Sequence, residues 1–217
     1  MALIVFWFLF VYLFSSIPNG YLITKWVSGK DIRKIGRQKI SGSNIIHNIG
    51  KGPGILSAGF DILKGVVATT GAFYLNLPPL YQALSGALAV CGQMWPIFLK
   101  FWGGRGGATS IGAMLGLNPI LALFLVVVWV FTKLISKEMG AAIGMINFYL
   151  FSIIAGFYFN WPEVYIFSSL TLFLVLIQRI LGTPGSIFKV KNKKVLFWRL
   201  LLDRDTKERI RSEKAVW

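Results

Sequence analysis

Four glycines flank a single arginine in the stretch LKFWGGRGGATSIG at residues 99–112. Glycine lets backbone N–H groups turn toward a ligand and approach it closely, and arginine adds positive charge. The apolar residues after the loop predict a helix whose N-terminus faces the loop, where anions are favoured. The stretch therefore indicates an anion-binding loop, and a close contact between helices through small residues is the alternative.

Asp61 and Lys64 are a second pair that could do chemistry, in the otherwise apolar stretch GFDILKGVVATTG at 59–71. Three residues apart on a helix, the two side chains share a face and can form an ion pair. Ionisable side chains at membrane depth are costly and indicate function by default, with a structural ion pair as the alternative. Lys64 lies about 15 Å along the predicted helix, within reach of a site at its start.

The sequence contains few residues that could form another kind of catalytic site or a metal site. His47 is the sole histidine and Cys91 the sole cysteine, too few for a metal cluster. A serine–histidine–aspartate triad would need His47, which precedes a glycine-rich stretch. The H-x-x-x-x-D arrangement of many acyltransferases fails because Gly52 stands five residues after His47. Glycines and cations remain, and together they bind anions.

Long apolar segments must position these residues. Of the 217 residues, 55% are hydrophobic and 14% charged, which is too apolar for a soluble domain of this size. Runs long enough to cross a bilayer recur. We therefore predict an all-α, multi-span integral membrane helix bundle of about seven helices, with five as the lower limit. The predicted crossings lie near 2–26, 53–76, 81–99, 107–118, 119–136, 140–158 and 163–181.

The 23 lysine and arginine residues are unevenly distributed. They cluster in loops 28–52 and 100–106, around the turn after the fifth crossing, and from Arg179 onward. The connections without lysine or arginine lie near 77–80, 116–119 and 159–163. The positive-inside rule then predicts that the basic loops are cytoplasmic, the N-terminus outside and the C-terminus cytoplasmic.

The chain shows no internal repeat and no second domain. We expect a single transmembrane domain at 1–185, followed by a basic cytoplasmic tail at 186–217. The tail mixes cations with apolar residues, which suits a segment attracted to anionic lipid headgroups.

Several motifs, in this order and spacing, resemble the bacterial acyl-phosphate-dependent glycerol-3-phosphate acyltransferase family. They are SSIPNGYLI at 15–23, DIRKIG at 31–36, SNIIHNIGKGPG at 43–54, DILKG at 61–65, FWGGRGGATSIGAMLGLNP at 101–119 and, more weakly, IQRILGTP at 177–184. The resemblance implies a multi-pass enzyme of the cell (inner) membrane, with its site on the cytoplasmic face. It also implies transfer of a fatty acyl group from acyl phosphate to the 1-hydroxyl of glycerol 3-phosphate, which gives lysophosphatidic acid and phosphate. The implied partners are these substrates and membrane lipids, with no cofactor, metal or nucleic acid.

The residue chemistry and the resemblance together predict roles for individual residues. Acyl phosphate is already an activated mixed anhydride, so alignment of the substrates and stabilisation of charge suffice without a protein nucleophile. The residues expected to be catalytic are Arg105, Lys64 and Asp61. The residues expected to bind phosphate are Gly103, Gly104, Gly106, Thr109, Ser43, Asn44, Lys51, Arg37 and Lys39.

The chain departs from the family pattern at several positions. GRQKISGSN at 36–44 replaces the usual G-S-G-N-x-G-A-T-N, which removes a functional serine and introduces the cations Arg37 and Lys39. Arg105 replaces a lysine, and LIQRILG at 176–182 stands where the family has a His-Arg-x-x-Asn segment. The alternatives to an active enzyme are a catalytically altered or inactive relative that binds a lipid phosphate or a partner, and a small transporter.

Overall fold

The computed structural model describes residues 1–36, 38–136 and 140–181, and all regular structure within them is helical. Two short 3-10 helices occupy Ile32–Lys34 and Ile97–Leu99. The α-helices are α1 (Ala2–Ser16), α2 (Asn19–Ser28), α3 (Gly42–Asn48), α4 (Lys51–Tyr74), α5 (Pro79–Met94), α6 (Gly107–Leu117), α7 (Pro119–Ser136), α8 (Gly140–Tyr158) and α9 (Pro162–Leu181). The all-α prediction is confirmed.

The membrane-spanning character is also confirmed by helix length and composition. Four segments are long and apolar enough to cross a bilayer: Ala2–Ser28, Lys51–Tyr74, Pro79–Leu99 and Pro162–Leu181. The three remaining predicted crossings correspond to the shorter apolar helices α6, α7 and α8. Large apolar side chains on α7 such as Ile120 (83% exposed) and Leu134 (70%) face outward, as expected where lipid is the solvent.

The first predicted crossing, near 2–26, is confirmed as the apolar segment Ala2–Ser28, which the structure divides into two helices. Pro18 has no N–H to donate to the preceding turn, so α1 ends at Ser16 and α2 begins at Asn19. The break exposes the carbonyl oxygen of Ile17, which lies on the inner side of the bundle near α4. This break and the short α3 explain why the described residues contain nine α-helices rather than about seven.

A tight turn at Asn118 separates α6 from α7. The side chain of Asn118 accepts a hydrogen bond from the Leu121 N–H at 3.0 Å, and Pro119 begins α7. Asn118 therefore caps α7, and Pro119 takes a position where no N–H is needed. The stretch GLNP is a break between two helices.

The crossing of α4 and α6 depends on glycine in both helices. Gly65 of α4 lies against the carbonyl oxygen of Thr109, and Gly112 of α6 lies against the carbonyl oxygen of Ile62, so a Cβ at either glycine would overlap the partner's backbone. The Thr69 hydroxyl also donates to the carbonyl oxygen of Ala113 at 3.1 Å. Small residues thus let the two backbones approach, as in many membrane helix pairs.

The connections gather at two ends of the bundle. One end, here called the loop end, contains residues 17–50 and 95–106 together with the C-terminal turn of α9. The opposite end contains the turns at 75–78, 118 and 159–161, where no lysine or arginine occurs. The two basic loops singled out in the sequence therefore lie on the same side of the molecule.

Candidate functional site

The glycine loop, residues 103–106, is packed tightly against α5 and against the basic loop at residues 28–52, here called the first loop. Gly103 lies against the carbonyl oxygens of Gln93 and Met94, and Gly104 lies against the carbonyl oxygen of Ile40. A side chain at either glycine would displace these backbone groups. Close packing of backbone against backbone is thus one reason why glycine occupies positions 103 and 104.

The loop leads directly into the N-terminus of α6. Gly106 has a φ of 70°, a left-handed conformation that favours glycine, and no described side chain caps the helix there. The amides of the first turn have no acceptor within the helix, so they favour an anion. Within the described residues, the buried Thr109 hydroxyl in this turn has no hydrogen-bond partner, and the half-buried Arg105 stands next to Gly106. The arrangement can bind a phosphate.

Lys64 and Asp61 form the predicted ion pair, with Nζ and Oδ1 3.3 Å apart. Both residues are buried, at 1% and 4% exposure. The Lys64 ammonium also donates to the carbonyl oxygen of Ile17 at 2.6 Å and to Oε1 of Gln93 at 2.7 Å. An ammonium has three N–H groups, and here three acceptors surround it.

Two glutamines connect this pair and α9 to the glycine loop. The backbone carbonyl of Gln93 accepts the Gly104 N–H at 3.0 Å, while its side chain accepts from Lys64. From the other side, Nε2 of Gln178 on α9 donates to the Gly104 carbonyl oxygen at 3.1 Å. Arg179, the neighbour of Gln178, is also buried, at 3% exposure. Sequence reasoning missed all three residues.

The first loop is organised by Asn44. Its side-chain amide donates to the carbonyl oxygens of Lys39 at 3.0 Å and Ile35 at 3.2 Å, while Asn48 donates back to its Oδ1 at 3.0 Å. Asn44 is 1% exposed. The amide's N–H groups are directed at backbone carbonyls that shape the loop, and the phosphate role expected for Asn44 stays a prediction.

An aromatic and ionic cluster joins the first loop to the glycine loop. Arg33 forms a two-pronged salt bridge with Asp31, with the shortest N–O distance 2.8 Å, and its guanidinium lies 4.9 Å from the Tyr21 ring and 5.6 Å from the Trp102 ring. The Trp102 N–H donates to the carbonyl oxygen of Gln38 at 3.2 Å. Hydrogen bonds from Arg33 lower the pKa of Asp31, and the same bonds raise the pKa of Arg33.

The structure brings some of the predicted residues together and leaves others apart. Those gathered around the glycine loop are Asp61, Lys64, Gly103, Gly104, Arg105, Gly106 and Thr109. Ser43 and Lys51 are exposed, and Lys51 is the first residue of α4, 13 residues before Lys64. Lys39 is buried, and Arg37 lies outside the described residues, as does the predicted tail at 186–217.

No three histidine, cysteine, aspartate or glutamate side chains converge as metal ligands in the part of the chain that the structure describes. The candidate site instead consists of backbone amides, Arg105 and the buried Asp61–Lys64 pair, with Gln93 and Gln178 bonded to the glycine loop.

Comparison with known proteins relates this arrangement to a family. Residues 5–182 match the family model described as glycerol-3-phosphate acyltransferase. The chain is 33% identical over 216 residues to glycerol-3-phosphate acyltransferase 4 of Dehalococcoides mccartyi strain CBDB1, covering 95% of this chain and 89% of that protein. It is also 33% identical over 169 residues to the glycerol-3-phosphate acyltransferase of Thermoanaerobacter sp. strain X514, covering 77% of this chain and 83% of that protein.

Solved structures agree with the sequence relatives. The fold is similar to the crystal structure of PlsY, an integral membrane glycerol 3-phosphate acyltransferase, in its glycerol 3-phosphate form. The TM-score is 0.70 at 27% identity, and the match covers 87% of this chain and 99% of PlsY. The lysophosphatidic acid form of PlsY matches with a TM-score of 0.68.

Proposed function

The chain belongs to the glycerol-3-phosphate acyltransferase family, and from this premise we propose that it transfers a fatty acyl group from acyl phosphate to the 1-hydroxyl of glycerol 3-phosphate. The products are lysophosphatidic acid and inorganic phosphate. The observation that carries the proposal is the glycine loop, which presents the uncapped N-terminus of α6 beside Arg105. The two PlsY crystal structures are a glycerol 3-phosphate form and a lysophosphatidic acid form, which correspond to the acceptor and the product of this reaction.

The reaction does not require a nucleophile from the protein. The glycerol hydroxyl attacks the carbonyl carbon of acyl phosphate, the bond from that carbon to the phosphate oxygen breaks, and the hydroxyl proton ends on the departing phosphate. Negative charge develops on the carbonyl oxygen and on the leaving group. Backbone amides and a cation that are already oriented stabilise such charge without further reorganisation.

We assign the direct contact with substrate to the glycine loop, the first turn of α6 and Arg105. Arginine offers a planar fork of donors that suits a phosphate. The Thr109 hydroxyl, which has no partner among the described residues, is a further donor to the bound anion. The loop therefore supplies most of one phosphate site.

Lys64 and Asp61, which the sequence predicts as catalytic, are better explained as positioning residues. The three N–H groups of Lys64 face Ile17, Gln93 and Asp61, which leaves none of them for a substrate. Lys64 acts through Gln93, which holds the Gly104 N–H. The pair thus fixes where the loop lies.

The first loop is the proposed location of the second phosphate site. Lys39, Ser43, Lys51 and Arg37 remain predicted ligands there. The hydrogen bond from Trp102 to Gln38 and the contact of Gly104 with Ile40 place this loop directly against the glycine loop. Two anionic substrates would then meet between the loops.

Membrane placement completes the proposal. The clustering of cations supports a cytoplasmic loop end and C-terminus, with the N-terminus outside, in the cell (inner) membrane. The transmembrane domain then comprises residues 1–185. Membrane lipid is the solvent for the apolar helices and the destination of the product.

The test is turnover by the purified protein in lipid. Palmitoyl phosphate and glycerol 3-phosphate are supplied, and release of phosphate and formation of lysophosphatidic acid are measured. Gly104→Ala should lower the rate at least tenfold, because the new methyl group would overlap the Ile40 carbonyl. Gly59→Ala is the matched control, since a methyl group there meets nothing within 4 Å. Absence of acceptor-dependent phosphate release across several acyl-chain lengths would refute the proposed reaction.

A further inference from the structure

The peptide groups around Gly104 are held from two sides. Its N–H donates to the Gln93 carbonyl oxygen at 3.0 Å, and its own carbonyl oxygen accepts from Nε2 of Gln178 at 3.1 Å. Gln178 is 5% exposed and lies in the last turn of α9, 74 residues away in the sequence. A buried amide is costly unless it is hydrogen-bonded, so this contact has a structural reason to persist.

The hydrogen bond from Gln178 fixes the direction in which the Gly104 carbonyl points, as well as its distance from α9. In a trans peptide the carbonyl oxygen and the following N–H point to opposite sides of the chain. The negative end of the Gly104 carbonyl is therefore turned toward α9. Because glycine has no Cβ, rotation at Gly104 is easy, and only contacts such as this one select the orientation of the carbonyl.

The orientation matters for an anion in the loop. A carbonyl oxygen that turned toward a bound phosphate would repel it, and the loop would lose the concave set of positive dipoles that favours anions. The donor on Gln178 opposes that rotation by holding the oxygen on the other side.

We propose that Gln178 is a positioning residue of the acyltransferase reaction that keeps the Gly104 carbonyl turned away from the phosphate bound by the glycine loop. The inference rests on the proposed function, since it assigns a role within that site. Gln178 does not touch the reacting atoms in this role. It acts through the backbone of Gly104.

The first experiment removes the donor without removing the volume. In Gln178→Met, kcat/KM for palmitoyl phosphate or for glycerol 3-phosphate should fall about tenfold, the effect expected for one hydrogen bond that orders a charged site. The matched control is Gln82→Met, because Gln82 donates the same kind of bond to the Leu77 carbonyl at 2.8 Å, at the end of the bundle opposite the loop end. The control should stay within twofold of the unmodified protein.

The second experiment separates a positioning role from a packing role. In Gln178→Glu the protonated carboxyl can donate to the Gly104 carbonyl, whereas the ionised one cannot. Activity relative to the unmodified protein should therefore rise as the pH is lowered for Gln178→Glu. The same ratio should stay flat for Gln178→Met.

The outcomes are distinct for the two proposals. An inactive unmodified protein refutes the proposed function. An active unmodified protein with unchanged kcat/KM for both substrates in Gln178→Met overturns only the role of Gln178. If Gln178→Met does not fold, the pH profile of Gln178→Glu decides, and a flat ratio overturns the inference.

Discussion

The charged side chains near the glycine loop have two different surroundings. Lys64 and Asp61 are enclosed by protein and form an ion pair with each other. Arg105 is half-buried beside the N-terminus of α6, where an anion would sit. The Asp61–Lys64 pair holds neighbouring elements together, and the proposed role of Arg105 is contact with the ligand.

We expect Arg105→Ala to lower kcat/KM by about 100-fold, the loss typical when one preorganised donor to developing charge is removed. Arg105→Lys should recover part of the loss, because the charge remains while the forked geometry does not. The measurement is phosphate release from palmitoyl phosphate in the presence of glycerol 3-phosphate. Cys91→Ala is the control for a change outside the site, and full activity in Arg105→Ala would contradict the assignment.

Lys64→Met should lower the stability of the protein strongly, because it leaves the buried Asp61 carboxylate without its partner. Breaking a buried pair costs about 3–5 kcal/mol, whereas replacing both members is often close to neutral. The double variant with Asp61→Asn should therefore regain much of the thermal stability. Thermal unfolding in detergent measures the stability of the single and of the double variant. A double variant less stable than Lys64→Met would show that the pair does not couple in this way.

The helices that carry the site contribute mainly through their ends. Gln93 lies in the last turn of α5, α6 begins directly after the glycine loop, and Gln178 lies in the last turn of α9, so three helix ends meet near Gly104. The first loop is fixed to the same place by Arg33 and Trp102. Because these contacts join segments distant in sequence, the site forms only when the bundle has assembled.

The Asp31–Arg33 pair gives the first loop a predicted pH response. The pKa of Asp31 is lowered in the folded protein, so the pair stabilises the fold above the unfolded pKa of about 4 and loses this effect as the pH falls through the lower folded value. Asp31→Asn should therefore reduce thermal stability at pH 7 by at most about 1 kcal/mol, since the pair is partly exposed.

The difference in stability between Asp31→Asn and the unmodified protein should shrink as the pH falls below about 4. Thermal unfolding of Asp31→Asn and of the unmodified protein at each pH measures this difference in stability. A difference between Asp31→Asn and the unmodified protein that stayed constant from pH 7 to pH 3 would contradict the role assigned to the Asp31 carboxylate.

Across the chain, hydropathy and the positions of cations predicted the helical class, the crossings and the shared end of the two basic loops. The break at Ile17 was missed because the apolar run continues through Pro18, and hydropathy ignores the missing N–H. Gln93 and Gln178 were missed because each is a single uncharged amide in an apolar helix. Their role depends on contact with Gly104, which only the packed bundle creates.

Orientation in the membrane leads to a labelling prediction. With Cys91→Ala as background, Lys100→Cys should react with a membrane-impermeant maleimide only from the cytoplasmic side, and Asn160→Cys only from the opposite side. Both positions are exposed and lie at opposite ends of the bundle. Oriented vesicles distinguish the two sides. The reverse pattern would contradict the proposed orientation.

The shortness of α6 has a chemical consequence. With 11 residues it is about 16 Å long, and its first turn meets Gly65, which is 14 residues after the start of α4. The glycine loop is therefore recessed within the bundle and covered by the first loop. An acyl phosphate can lose its acyl group to water as well as to glycerol 3-phosphate. In the proposed reaction, we expect a loop set back from bulk solvent to favour transfer over hydrolysis, so the length of α6 bears on how much of the activated donor ends as free fatty acid.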